Sequence, residues 1–561
     1  MIHRSALLAL FASAALSAPP AFAQTAAPQP APDATAVNPA PDQPPPQAPP
    51  AAPDQAAANQ AAQGPPAPAA AAPADQTAPA AAPPQPLVAP PAPVQAQPLA
   101  TLDLFSAGRD TGLGPDFWKG SSAAIARSVI PTLAQSPLSP AAIGLARQVL
   151  ANGATAPEGA GTDASLAAAR ARALLALGDA PAVDSIVERT PNLAGDAALS
   201  QLAAEAALIT DQPDKACRVS DQLAVDRGGA YWLRLRTYCQ ARAGKPEAQL
   251  TFSLAQQQGA DPDFIRLMGV VLAGAGDPGR ASLRDGQDDA LSRQLQLDLK
   301  PALADAPLPI AEHVRALPPA PPAAPPPAPG AAVPAPPPPP PPLSEADVLA
   351  ALRAAKGPAA SLAAAEDQAA AIDALVQAKA SLANPVQLAS AALYAGDLST
   401  AQAIRASLTQ DQIPGASAAD LAVLDAALAA AAGKPDPQTL DRLVERAGVG
   451  EASALARARA AAAIFAPVSG PVGPAERAAL AGFDLGREQA SAGQRLALGL
   501  AVDAKARGDV ALLSLVIAQA GGAAGPSAGD RAQLERALDE VGLAQAARAL
   551  AVEGLVGLEP R

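Results

Sequence analysis

The 561-residue sequence predicts an all-α protein with two α-solenoid bodies, preceded and joined by disordered Pro/Ala-rich segments. Long Ala-rich stretches favour helix over strand, because Ala loses the least free energy on entering a helix and is depleted from sheets. Helix start and stop signals bound many of these stretches, whereas sustained alternation of polar and apolar residues is hard to find. Helix breakers also recur at a nearly constant interval, which is typical of stacked helix-turn-helix units.

Residues 1–23 are predicted to be a secretory signal peptide. Arg4 precedes an uncharged small-apolar stretch at 5–18, and Ala21-Phe22-Ala23 has the pattern of a cleavage site. A membrane-spanning helix needs about 20 apolar residues, which is more than this stretch provides. We expect cleavage after Ala23, export to the periplasm, and no transmembrane span in the mature chain. The alternative is an uncleaved N-terminal anchor.

Two proline-rich segments separate the remaining chain into two bodies. Residues 24–100 are mostly Ala, Pro and Gln, and residues 317–343 carry no charge and include a run of prolines at 336–342. Neither segment has the large apolar side chains that offset the entropy cost of ordering. They are predicted to be a disordered tether and a linker, which leaves helical-repeat domains at 101–316 and 344–561.

Local chemistry places several helix boundaries. Ser139-Pro140 predicts an N-cap followed by proline at the first helical position. Ser344 and Asp347 resemble a capping box, with Asp in place of the usual Glu or Gln. The breakers of the first body are 32 or 33 residues apart and lie at 178–179, 211–213, 244–246 and 276–278. Those of the second body are spaced less regularly and lie at 396–397, 433–434 and 508–509.

Three segments at these breakers resemble the joint of tetratricopeptide-like repeats, in which a small-residue helix ends in Gly and the next helix begins soon after. The segments are 171–189, 388–408 and 496–519. Ala401 fits the motif's small-residue position, whereas Leu513 departs from it. The resemblance implies an α-solenoid, a fold in which curved stacks of helix pairs supply extended binding faces.

The only two cysteines, Cys217 and Cys239, lie 11 residues on either side of Gly228. A helical hairpin that turns at Gly228 would bring them level on antiparallel helices. In an oxidising compartment this arrangement predicts a disulfide. The alternatives are two separately buried thiols, or a redox or metal site. Nearby, Tyr231, Trp232 and Tyr238 are a candidate interaction surface, although aromatic residues near helical spacing more often belong to a core.

No catalytic, cofactor-binding or metal-binding residues are predicted, and no cofactor is expected. After signal cleavage His313 is the only histidine, and we expect it to be exposed at the edge of the linker. One histidine cannot build the catalytic or metal sites that need several. The string 525–529 matches G-x-S-x-G, but a loop between helices is expected there. Asp288 or Asp289, near Asp285, is expected to cap a helix.

The charge distribution argues against nucleic acid as a partner. The chain has 39 basic and 52 acidic residues, a formal net charge of −13 and no basic block. Binding to phosphate backbones relies on clustered Lys and Arg. A nucleotide is not expected either, because the P-loop pattern is missing.

These features favour a non-enzymatic periplasmic scaffold or adaptor that binds other envelope proteins. One alternative is a structural spacer whose proline segments contact peptidoglycan or outer-membrane components. Another is a wall hydrolase that uses paired carboxylates. In composition the chain also resembles Ala/Pro-rich alphaproteobacterial envelope proteins tied to cell poles or flagellum placement, which implies a role in polar or flagellar organisation.

Overall fold

The computed structural model describes residues 103–106, 108–317, 344–409 and 413–558, and these ranges are all-helical, as predicted. The predicted signal peptide, the tether 24–100 and residues 318–343 of the predicted linker lie outside the described residues. Within the described ranges one isolated bridge, Arg109 with Asn152, is present and no strand is formed. None of the described helices combines the length and apolar character that crossing a bilayer requires.

Eleven α-helices precede the predicted linker in the described residues. They are α1 Ala123–Val129, α2 Pro140–Ala151, α3 Ala164–Ala176, α4 Ala180–Val187, α5 Ala197–Ile209, α6 Pro213–Gln222, α7 Ala230–Arg242, α8 Glu247–Gln257, α9 Pro262–Ala273, α10 Gly286–Gln294 and α11 Leu308–Ala316. Short 3-10 helices lie at Ile130–Ala134, Leu193–Gly195 and Lys300–Asp305.

Twelve α-helices follow the linker in the described residues. They are α12 Glu345–Ala354, α13 Pro358–Gln377, α14 Pro385–Tyr394, α15 Leu398–Ala406, α16 Ala418–Ala432, α17 Pro437–Arg446, α18 Ala452–Phe465, α19 Pro474–Ala481, α20 Ala492–Asp503, α21 Arg507–Ala520, α22 Ala528–Glu540 and α23 Ala544–Gly557. Two 3-10 helices lie at Ala466–Val468 and Gly522–Ala524.

The regularly spaced breakers of the first half form the turns of helical hairpins. Gly178, Asp211 and Gly244 all have positive φ and join α3 to α4, α5 to α6 and α7 to α8. The serial pattern changes after α9, because the next stretch is not helical before Gly286. α10 then packs back against α5, α7 and α9 instead of starting a further hairpin.

In the second half, Gly396 and Gly433 lie in turns as expected, whereas the breaker at 508–509 lies inside a helix. α14 and α15 meet at Gly396, and Gly433 ends α16 with positive φ. α20 ends at Asp503, and the turn that follows contains Lys505 with positive φ. Gly508 therefore belongs to the first turn of α21.

Ser139 and Ser344 occupy the N-cap positions of α2 and α12, but neither side chain makes the expected capping hydrogen bond. In α2 the carboxylate of Glu553 accepts from the Ala141 N–H at 2.7 Å, across 412 positions of sequence. The free N–H groups of a helix start can be satisfied by any nearby acceptor, so a distant carboxylate replaces the local serine.

The structure differs from the sequence-based picture of two separate bodies, because helices of both halves share one hydrophobic core. The described residues form one compact unit. Its largest core cluster combines residues from α1 to α5 with residues from α20 to α23. α1 and α2 pack on α21, and α2 also packs on α23. We call this contact between the first and last helices the closure interface.

Polar contacts also cross the closure interface. The side chain of Asp509 accepts from the N–H of Ser122, the N-cap of α1, at 2.8 Å. Thr132 and Gln519 exchange two hydrogen bonds of 3.1 Å, one from each side chain. These bonds use groups at helix ends, so they fix the register of the two sets of helices as well as holding them together.

Gly508 allows a close approach of α21 to Trp118 at the closure interface. An added Cβ would lie 2.3 Å from Cε3 and 2.7 Å from Cζ3 of Trp118, and 2.6 Å from Oγ of Ser121. Trp118 is fully buried and packs edge-on against Phe105 and Phe117. The indole therefore has little freedom to move away, so only glycine fits at this position.

We expect Gly508→Ala to lower the free energy of unfolding by about 1–3 kcal/mol, because overpacking outweighs the better helix propensity of Ala. Gly499→Ala is the matched control, since Gly499 lies in the adjacent helix α20 with open space around its Cα. The control should gain up to about 1 kcal/mol. Urea unfolding monitored by circular dichroism measures both; equal stabilisation of the two variants would contradict the tight contact.

Candidate functional site

The predicted disulfide joins α6 to α7. Cys217 and Cys239 are bonded, with their Cα atoms 5.6 Å apart and 22 positions between them in sequence. That Cα distance lies in the normal range for disulfides. In the chain-entropy account, closing a loop of this length stabilises the fold by about 3 kcal/mol. The disulfide thus joins α6 and α7 covalently beside the core cluster formed by α5 to α10.

The three aromatic residues near the disulfide lie in or against this core cluster. Trp232 and Tyr238 are buried, and Tyr231 is half-buried at the edge of the cluster. The rings of Tyr231 and Trp232 pack edge-on with their centroids 5.1 Å apart. Because protein already covers Trp232 and Tyr238, these two side chains offer no surface to a partner in this fold.

Five polar side chains meet where α5, α7 and α10 pack, and we call them the carboxyl cluster: Glu205, Tyr231, Arg234, Asp285 and Gln287. Asp285 is the N-cap of α10 and accepts from the N–H groups of Gln287 and Asp288 at 3.0 and 2.9 Å. Arg234 donates to the other Asp285 oxygen at 2.7 Å. The N-terminus of α10 is thereby tied to α7.

Gly286 brings the backbone of α10 onto Glu205. Its N–H donates to Oε2 of Glu205 at 2.7 Å. A Cβ at this position would lie 2.7 Å from the same oxygen and 3.1 Å from Cβ of Leu208. A carboxylate near a helix N-terminus is favoured by the exposed N–H groups and by the helix dipole. The contact therefore joins α5 to α10 through one hydrogen bond that a larger residue would obstruct.

Three buried atoms of the carboxyl cluster have no well-formed hydrogen bond among the described residues. They are Oε1 of Glu205, the hydroxyl oxygen of Tyr231 and the side-chain oxygen of Gln287. An ionised carboxylate can only accept, whereas a protonated one also donates through its O–H. Protonated Glu205 can therefore supply a donor to a neighbouring acceptor, which an ionised Glu205 cannot do.

The electrostatics of the carboxyl cluster also favour the neutral, protonated form of Glu205. Burial, with a smaller effect from the charge of Asp285, raises the pKa of Glu205 to about 7. The Gly286 N–H, the Tyr231 hydroxyl and the charge of Arg234 act in the opposite direction. Burial, followed by the charge of Glu205, raises the pKa of Tyr231 well above its ordinary value. The arrangement can bind and release a proton near neutral pH at a contact that docks α10.

Sequence reasoning missed Glu205. It is the only charged residue in the helix AALSQLAAEAALI, most of whose residues are buried. A lone carboxyl on such a helix is a signal, because charged side chains are almost never fully buried unless paired. Its partners lie 26 and more positions away on α7 and α10, so the sequence does not show what it meets.

Asp285, and not Asp288 or Asp289, caps α10. Asp288 and Asp289 are buried in its first turn, where they contact Ser282 and Arg293. Burial raises the pKa of Asp289 to about 6 despite the opposing charge of Arg293. The first turn of α10 therefore contributes two further carboxyl groups that prefer a proton more than an exposed Asp does.

Ser527 of the G-x-S-x-G string is an N-cap. Its hydroxyl accepts from the Asp530 N–H at 3.2 Å and donates to the Asp530 carboxylate at 2.8 Å, so it lies in a loop before α22, as expected. His313 differs from expectation, because it lies on α11 and is half-buried. Burial, with a smaller effect from Arg293, lowers its pKa.

Among the described residues, no group of three or more His, Cys, Asp or Glu side chains is arranged to hold a metal ion. The chain matches no protein-family model, no curated protein and no solved structure.

We expect the stability of the protein to fall between pH 5 and pH 8, because the contribution of neutral Glu205 is complete below its ordinary pKa of 4.5 and is lost as the pH rises through about 7. The loss from this group amounts to about 2–3 kcal/mol. In Glu205→Gln the pH dependence of the unfolding free energy that Glu205 causes disappears, whereas the pH dependence that Asp289 causes persists.

Chemical unfolding at a series of pH values measures this effect. Glu247→Gln, a change at an exposed position on α8, is the matched control and should keep the wild-type pH profile. A Glu205→Gln profile as steep as that of wild type would show that the carboxyl cluster does not bind the proton.

Proposed function

We propose that the chain is an exported, non-enzymatic scaffold of the cell envelope that binds other envelope proteins through the outer faces of its helices. The observation that carries the proposal is a pair of outward-facing leucines, one turn apart, on each of two helices. Leu250 and Leu254 lie on α8, and Leu496 and Leu500 lie on α20. Leucines at this spacing are the anchors by which one helix binds another.

The inner faces of these helices are already used for packing. On α8 the buried residues are Ala248, Thr251 and Ala255, and on α20 they are Leu498, Ala501 and Val502. The outward leucines are therefore additional to what the fold needs. Leu250 and Leu496 are 68% and 65% exposed, so a partner that covers them removes most of their apolar surface from water.

The disulfide and the helical hairpins support the proposal in two further ways. A disulfide in a chain with only two cysteines suits an oxidising compartment outside the cytoplasm, in agreement with the predicted signal peptide. Hairpins α3–α4, α5–α6 and α7–α8 follow one another as in the tetratricopeptide-like repeats that the sequence resembles. Repeats of this kind present extended surfaces to protein partners.

Photo-crosslinking residues introduced at Leu254 and at Leu500 in intact cells test the proposal. We expect discrete protein adducts from these positions and few from Gln256 on the other side of α8 or from Asp441 on α17, both of which are exposed. With the crosslinking residue at position 254, replacing Leu250 by Gln should weaken the α8 adduct about tenfold, which corresponds to a loss of about 1.4 kcal/mol of apolar contact. Equal adducts from leucine and control positions would contradict the proposal.

A further inference from the structure

The outer face of α8 ends the series of helical hairpins without a polar cap. α4 and α6 each pack against the helix before them and the helix after them, whereas α8 packs mainly on α7. α9 is followed by α10, which packs back on α5, α7 and α9 and leaves this face of α8 uncovered. The last unit of a helical-repeat series normally presents polar residues to water. Leu250 and Leu254 are exposed here instead, so this end of the series is suited to a contact with another molecule.

An open groove of about 250 Å³ lies between α20 and α22, in a different part of the unit. Gly499 and Ala537 line it, and no atom lies within 4 Å of the place that a Cβ of Gly499 would take. Leu496 lies three positions before Gly499, and Leu500 lies three positions before Asp503, which also lines the groove. Residues three apart lie on the same face of a helix, so both leucines border the groove.

The shapes of these two surfaces are complementary. The α8 face is a single helix from which two leucines protrude, and the groove has a floor of small residues with two leucines along its α20 edge. Both leucine pairs are four positions apart, which is one helical turn. A helix with apolar anchors at this spacing is the usual occupant of an apolar groove.

The charges at the two surfaces are complementary as well. Asp503 and Glu540 line the groove where α20 and α22 end, and Arg536 contacts Glu540 at 2.8 Å, which leaves an excess of negative charge at this end. The C-terminal ends of the two helices add partial negative charge. α8 begins just after Lys245, and its N-terminus carries partial positive charge. Glu247, the only charged residue within α8, has Arg536 as its counterpart in the groove.

We propose that α8 of one copy of this chain docks in the α20–α22 groove of a second copy, with α8 antiparallel to α20. This inference rests on the proposed scaffold function, because it names the partner of the same leucines. The contact joins two different surfaces, so it generates an open chain or a ring of copies and not a twofold dimer. One helix in one groove is a small interface, and we expect a dissociation constant on the order of 10–100 μM.

Sedimentation velocity of the purified protein, over a concentration series that brackets this dissociation constant, tests the proposal. The average mass of wild type should rise beyond that of a dimer. Leu254→Gln and Leu500→Gln each alter one of the two surfaces, and each alone should associate at least about tenfold more weakly. An equal mixture of the two variants should form dimers and nothing larger, because only one α8 face and one groove in each pair are intact.

Val449→Gln is the matched control, since it changes an exposed apolar residue in the turn after α17 and should associate as wild type does. Circular dichroism melting of each variant identifies any loss of fold. The proposal is overturned if wild type stays monomeric, if the mixture stays monomeric, or if either folded variant alone associates like wild type, which would indicate pairing of like surfaces.

Crosslinking in cells distinguishes this proposal from the scaffold function. Adducts from positions 254 and 500 that contain other proteins, but never a second copy of this chain, would retain the scaffold function and reject the contact between copies. Adducts that join position 254 of one copy to α20 or α22 of another would support the contact.

Discussion

The packing of the first helices of the unit against its last helices is the constraint on which the rest of the structure depends. At this closure interface the Gly508 backbone lies against the Trp118 indole, and the Glu553 carboxylate caps α2 while it pairs with Arg531. A buried ion pair is stable only when its remaining hydrogen-bonding positions are largely satisfied. Arg531 and Glu553 therefore need α2 in place, so the polar contacts form only together with the apolar core around them.

Closure determines which surfaces stay available. The inner faces of α1, α2, α21 and α23 are buried in one core. The outward leucines of α8 and α20 remain exposed. The carboxyl cluster lies in a smaller core, near the disulfide, where we expect proton binding by Glu205 to affect the docking of α10. The closure core, the proposed binding surface and the expected pH response thus depend on different side chains of one unit.

Local features were predictable from the sequence, and contacts between distant residues were not. The helical class, the turns at Gly178 and Gly396, and the Cys217–Cys239 pair follow from breakers, composition and spacing. The closure interface has no local signal, since Glu553 replaces the cap expected from Ser139 and lies 412 positions from Ala141, whose N–H donates to it. Similarly, Asp285 of the carboxyl cluster was visible as an acidic residue near a helix start, but nothing in the sequence linked it to Glu205.

Cutting the chain between its halves tests closure most directly. A specific protease site introduced within residues 318–343 would separate α1–α11 from α12–α23 without altering any described contact. We expect the two fragments to co-elute as one complex on size-exclusion chromatography, because they share a core, and to separate more readily when Gly508→Ala is present. If the protein that keeps Gly508 gives two folded fragments that elute independently after cleavage, the shared core is contradicted.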